Sequence, residues 1–201
     1  MTIQDWYNKY CAKHCVANMQ VADIANLAAK LSYRASVLRA LYENDICVGF
    51  KKKYNEKTKA RCSGEKTIEQ FLKTAYSNNV SLNDVEAMWN KIRDIYHQQG
   101  IFWYTYGNAQ KWLGMSIKYF FIIAYIKGWV TTFNHPIADC VFPIDSIIMK
   151  EIKKDPSVNV DRIFPSWSKC DDKDKLKKYI EDVKGKLNGQ KKLLEYEIEM
   201  W

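Results

Sequence analysis

The sequence predicts an all-α fold with little or no sheet, and three observations carry that reading. Apolar residues recur at three- and four-residue steps. Between Val21 and Glu43, for example, Ile24, Leu27, Ala28, Leu31, Val37, Leu38 and Leu41 fall on one stripe, the pattern of an amphipathic helix. The four prolines, at 136, 143, 156 and 165, lie within one 30-residue window, so long helices are permitted through the first two-thirds of the chain. Few stretches alternate apolar and polar residues, which is what a half-buried strand requires.

Taken in order, Asp5 to Val16 reads as the first helix and Val21 to Glu43 as the second. The charged run from Lys51 to Arg61, ending near Gly64, reads as an exposed loop or frayed helix end. Its face is solvated, or touches phosphate. Thr67 to Tyr76 suits another helix. Ser81, followed three residues later by Asp84, has the capping pattern for a helix through Val85, Met88, Trp89, Ile92 and Ile95, which Gly100 ends. A turn around Gly107 and Asn108 leads into a helix that runs to about Lys127. Thr131 to Val141 reads as a loop. Pro143-Ile144-Asp145-Ser146 opens a short helix, Lys173 to Lys186 forms a lysine-rich amphipathic one, and Leu193 to Trp201 closes the chain. Its 201 residues suit one compact helical domain, or two lobes of about 1–100 and 101–201 with a site between them.

A net charge of +8 favours a polyanionic partner such as DNA, RNA or an anionic membrane surface, or else a basic surface kept for solubility. No run of about 18 apolar residues predicts a membrane span. The N-terminus has neither the basic nor the apolar region of a signal peptide, so the six cysteines, at 11, 15, 47, 62, 140 and 170, are expected to be reduced thiols in a cytoplasm. Cys11 and Cys15 sit together with His14 beside them, and Cys47 and Cys62 would complete a set of four ligands, but the spacing matches no zinc finger or ribbon. Buried cysteines are expected instead, with neither metal nor cofactor. The histidines, at 14, 97 and 135, are scattered, and no serine elbow or phosphate-binding loop appears.

The central helix is the unusual feature. Lys111 and Lys118 stand seven residues apart, two turns along one face. Around them are Trp112, Leu113, Met115, Ile117, Phe120 and Phe121. Lys118, deep in that stretch, needs a partner or must snorkel outward. Lys111, read as lying in the first turn, meets the positive end of the helix and partial burial. Both disfavour its ammonium form and so favour an amine nucleophile. The alternative is that Lys111 points at solvent.

The run Gln110-Lys111-Trp112-Leu113-Gly114-Met115-Ser116-Ile117-Lys118, followed by Pro143-Ile144-Asp145-Ser146-Ile147-Ile148, resembles the catalytic core of helix-hairpin-helix DNA glycosylases. It is most similar to the archaeal 8-oxoguanine DNA glycosylase branch, and also looks like small uncharacterised bacterial proteins with a Tyr-Gly-x-Ala-Gln-Lys stretch. The likeness covers residues 110–148, about a fifth of the chain. Tyr-Gly-Asn-Ala stands where the wider superfamily has a Leu-Pro-Gly-Val-Gly-type hairpin.

The resemblance implies roles. Lys111 would attack the sugar C1′ and form a Schiff base. Asp145 would activate it or stabilise developing positive charge. The substrate would be double-stranded DNA carrying 8-oxoguanine or another modified base, bound by a monomer, with or without β-lyase action. The backbone amides of Tyr106, Gly107 and Asn108 would meet a phosphate, with Gln110 and Lys118 as further DNA contacts. Trp103, Tyr106, Trp112, Phe142 and Trp167 are candidate walls for an everted base. Asp171 or Asp172 would read its edge, or cap the helix that begins at Lys173. The competing expectation is a non-catalytic helical nucleic-acid-binding or phage-related interaction protein, in which Lys111 and Asp145 form a structural ion pair.

Overall fold

The computed structural model describes residues 2–14, 16–36, 50–161, 164 and 166–200. Among them there is no strand, and the all-α expectation holds. Helix α1, Ile3–Tyr10, starts from a capping box in which the Thr2 hydroxyl accepts from the Asp5 amide and the Asp5 carboxylate accepts from the Thr2 amide. It stops well short of Val16. Trp6, Cys11 and Val16 are all buried, and their five-residue spacing fits no single α-helical stripe. Short 3-10 turns at Ala12–His14 and Val16–Asn18 turn Cys11 and Val16 inward instead.

Helix α2 is Val21–Ser36; the expected continuation to Glu43, like Cys15 and Cys47, lies outside the described residues. Helix α3, Phe50–Ser77, is one element where an exposed loop or frayed helix end, ending near Gly64, and then a separate helix had been expected. Lys, Glu, Thr and Ala supply no helix break, and Arg61 pairs with Glu65 one turn on, at 2.7 Å. Gly64 costs helix propensity, but a Cβ there would stand 2.5 Å from the Trp112 ring. The residue that looked like a terminator is a packing notch for that indole.

Helix α4, Leu82–Gln98, begins at the predicted Ser81–Asp84 capping box and ends at Gly100, which takes φ +74°. Helix α5, Tyr106–Ile126, is the axis of the fold. After a 3-10 turn at Pro136–Asp139 come α6, Ser146–Lys154; a 3-10 turn at Trp167–Lys169; α7, Lys173–Leu187; and α8, Leu193–Glu199.

The face α5 shows to α2 is built for close approach. Ala25, Ala28 and Ala29 of α2 are fully buried, the Trp112 indole N–H donates to the Ala29 carbonyl at 3.0 Å, and the Ser32 and Ser116 hydroxyls meet at 2.6 Å. Helices α1, α3 and α4 also pack on α5. This burial on all sides accounts for a helix that is apolar all round. Buried residues from Trp6 to Ile198 form one cluster, shared by both halves of the chain. No helix among the described residues is long and apolar enough to cross a membrane.

Candidate active site

Thr105 starts the central helix. Its hydroxyl accepts from the Asn108 amide at 3.2 Å and donates to the Ser168 carbonyl at 2.9 Å. Gly107 and Asn108 therefore lie inside the first turn, not in a turn before it, and Lys111 stands in the second turn rather than the first. The helix-end argument for Lys111 weakens accordingly, since the effect of the dipole falls off within the terminal turn.

Its surroundings are instead set by side chains. Lys111 Nζ lies 3.1 Å from Asp145 Oδ2 and 4.4 Å from the centre of the Trp167 ring. The Lys111 and Asp145 side chains keep 12% and 11% of their exposure, enough for contact with a ligand. This is neither the solvent-facing lysine of the alternative reading nor a sealed core pair.

Asp145 is held rigidly. As the N-cap of α6, its Oδ1 accepts from the Ile147 and Ile148 amides, both at 2.9 Å. Its Oδ2 is left for Lys111. The approach of the turn to α5 is fixed by two further residues. Gln110, fully buried, donates to the Ile144 carbonyl at 2.8 Å and accepts from the Ile144 amide at 3.1 Å. Gly114, one turn on, lets the backbone of Pro143 lie against the helix, since a Cβ at 114 would come within 2.9 Å of Pro143 N and Cα. Gln110 is thus a clamp on the turn and not a DNA contact.

Trp167 is positioned from the other side. A methyl group at Gly107 would stand 1.5 Å from the Trp167 carbonyl oxygen, and the Gly107 amide donates to Cys170 O at 2.9 Å. The Tyr106 amide donates to Asp171 Oδ1 at 3.2 Å. All three amides expected to meet a DNA phosphate are therefore satisfied within the protein. Asp171 also forms a two-pronged pair with Arg93, at 2.8 and 2.7 Å, and that guanidinium lies 4.6 Å over the Tyr106 ring. Asp172 caps α7 through the Lys175 amide, the simpler of its two expected roles. Asp171 ties α4 to the start of α5, and its oxygens are engaged there rather than offered to a base edge.

Other expected contacts move into the core. Trp112 and Phe142 are fully buried, so neither is an open pocket wall, whereas Trp103, Tyr106 and Trp167 stay partly exposed. Lys118, expected on DNA, has no exposed surface. It pairs with buried Glu197 of α8 at 2.7 Å and lies 3.5 Å from the Trp6 ring centre. Burial lowers its affinity for a proton, and Glu197 opposes that.

No group of three or more metal-ligating side chains occurs among the described residues. Cys11, Cys140 and Cys170 are buried and free, and burial pushes the first two thiols up, to about 12 and about 11.

Sequence reasoning missed Thr105, Arg93, Gly114 and Glu197. A threonine three residues before Asn108, a glycine inside an apolar helix and a glutamate inside Leu193–Ile198 were the available signals. Compared with family models, curated proteins and solved structures, the chain matches none.

Proposed function

We propose that the protein is a DNA glycosylase that removes a modified base through Lys111, with β-lyase action following from the same amine. The observation that carries this reading is the Lys111–Asp145 pair, an amine and a fixed carboxylate 3.1 Å apart in a partly open site beside an aromatic ring.

The neutral amine of Lys111 attacks the sugar C1′. Its lone pair forms the N–C1′ bond while the C1′–base bond breaks and its electron pair leaves with the base. The ammonium proton departs through Asp145 Oδ2, the acceptor within reach, and is delivered to the leaving base. The same carboxylate opposes positive charge on the sugar as the bond stretches. The proton need not travel far, because Asp145 is already held by two backbone amides. In the ring-closed adduct the nitrogen lone pair then forms the C1′=N bond as the C1′–O4′ bond breaks, O4′ taking a proton from water, and loss of the proton at C2′ from this Schiff base expels the 3′ phosphate oxygen, which is the lyase step. Trp167 supplies a ring against which an everted base can rest. A cytoplasmic, monomeric enzyme acting on double-stranded DNA is the form this reading takes.

A second reading, a non-catalytic nucleic-acid-binding protein, draws on the capping bonds of Asp145, which make the pair a serviceable structural joint. One experiment separates the two. The protein is incubated with duplexes carrying 8-oxoguanine, uracil, hypoxanthine or an abasic site, and borohydride is added. A covalent adduct lost in Lys111→Gln is expected. An adduct that persists in that variant sinks the role of Lys111. Asp145→Asn, which can still cap α6, is expected to abolish base release while sparing DNA binding. If the wild type traps no duplex but binds DNA with steep salt dependence, the second reading stands.

A further inference from the structure

Several buried side chains keep an unpaired polar atom, Trp89, Tyr104 and Tyr179 among them, and on α5 Asn108 is the one among the described residues. Only 1% of it is exposed, and its Oδ1 is buried without a hydrogen-bond partner. No hydrogen bond to its side chain occurs among the described residues; its backbone amide donates to Thr105. A buried amide oxygen left unpaired is unfavourable, and folded proteins rarely keep one without a reason.

Its position supplies the reason. Asn108 precedes Lys111 by three residues, so the two are adjacent on one side of α5. Helical side chains lean toward the helix N-terminus, which carries the Lys111 chain back over the turn of Gly107 and Asn108. The contacts agree. Lys111 Nζ lies over the Trp167 ring, and the carbonyl of Trp167 rests on Gly107. The unpaired amide therefore belongs to the turn over which Lys111 leans; it is buried in this structure, and meeting a base requires its side chain to turn toward Lys111.

We propose that the Asn108 side chain reads the edge of the everted base, with Oδ1 accepting a ring N–H and Nδ2 donating to the neighbouring carbonyl oxygen. This rests on the glycosylase reading and specifies the class of base. A carboxamide presents one acceptor beside one donor. Its complement is a lactam edge, a ring N–H next to a C=O, as in N7–H with O8 of 8-oxoguanine, N3–H with O4 of uracil, or N1–H with O6 of hypoxanthine. A base offering only acceptors at that edge would leave Oδ1 unpaired and set Nδ2 alone against it. Sites built to hydrogen-bond a substrate group discriminate strongly against analogues lacking it.

The test uses the full chain and single-turnover base release from the best of the three lactam-bearing duplexes, alongside borohydride trapping on an abasic duplex. The abasic DNA has no base to read. Asn108→Leu is expected to slow base release by about 100-fold or more, to keep abasic trapping within about twofold of wild type, and to melt no lower than wild type, because a buried orphan acceptor has been replaced by an apolar group of similar size. Unchanged base release overturns the proposal. So does equal loss of release and abasic trapping in a folded variant, which would make Asn108 a structural support of α5. Where Asn108→Leu does not fold, Asn108→Asp, which keeps the shape and removes the donor, is read by the same outcomes. Absence of any wild-type adduct with abasic DNA is a different failure: it overturns the glycosylase reading and this inference with it.

Discussion

Replacing Gln110 tests the joint on which the candidate site depends. Gln110 lies fully buried on α5 and engages both backbone groups of Ile144, the residue before Asp145. Gln110→Leu keeps the volume close and removes both bonds. The Ile144 N–H and C=O are then stranded in the interior, at about 1–3 kcal/mol each, so the expected loss is about 2–6 kcal/mol. That is a large share of the stability of a typical domain, about 5–15 kcal/mol. At about 2–4 °C per kcal/mol for a chain of this length, the middle of the range gives a fall in melting temperature of about 12 °C.

The consequence for chemistry is separate. The turn loses its anchor one residue from Asp145, and a misplacement of about 1 Å at a reacting group costs on the order of 100-fold in rate. Urea unfolding measures the first effect. Base release compared with DNA affinity measures the second, with release reduced and affinity held. A midpoint shift worth less than about 1 kcal/mol would refute the clamp, since two buried backbone groups cannot be stranded so cheaply.

Removal of one member of the Lys118–Glu197 pair, by Lys118→Met, is expected to destabilise by about 3–5 kcal/mol, whereas Lys118→Met with Glu197→Leu should be near wild type or more stable. Chemical denaturation of the three variants forms the cycle, and equal effects of single and double changes would contradict a buried pair. The Lys173 ammonium, and after it that of Lys177, holds the Glu86 carboxyl below its ordinary value of 4.5. Because the folded value is depressed, the contribution of Glu86 to stability is present above pH 4.5 and is lost as pH falls through the folded value. Melting curves from pH 7 to 3 should lose part of their acid slope in Glu86→Gln, and an unaltered slope would remove Glu86 from the linkage.

How much of this was legible depends on the range of the interaction. The capping box at Ser81 and Asp84, the helix from Leu82 and the stop at Gly100 are local signals, and they are where the sequence places them. Gly64 misled because a glycine reports either a helix end or a close approach. Only the Trp112 ring, 48 residues away in sequence, decides which. Lys118 announced that it needed a partner, but Glu197 lies 79 residues on, and nothing nearby names it. The amides of Tyr106, Gly107 and Asn108 looked available because an isolated helix N-terminus has free donors. Asp171, Cys170 and Thr105 fill those positions, two of them from a segment more than 60 residues distant. The pairing of Lys111 with Asp145 was expected from the resemblance; that Asp145 also caps α6 was not.

The accessibility of α5 bears on why a reactive group would stand at Lys111. From Gly107 to Ala124, every residue is buried except Lys111. The polar members of that stretch are largely committed: Gln110 to Ile144, Ser116 to Ser32 and to the Trp112 carbonyl, Lys118 to Glu197. Two groups break the rule. Asn108 has an acceptor that nothing fills, and Lys111 has an ammonium that meets a carboxylate at the edge of solvent. They are neighbours on one face. A helix selected only for packing would bury a leucine at 108 and gain by it, and a structural ion pair would need no unpaired amide beside it. That the two exceptions lie together is what the proposed ligand site requires. It also explains why stability and base release should move independently when Asn108 is changed.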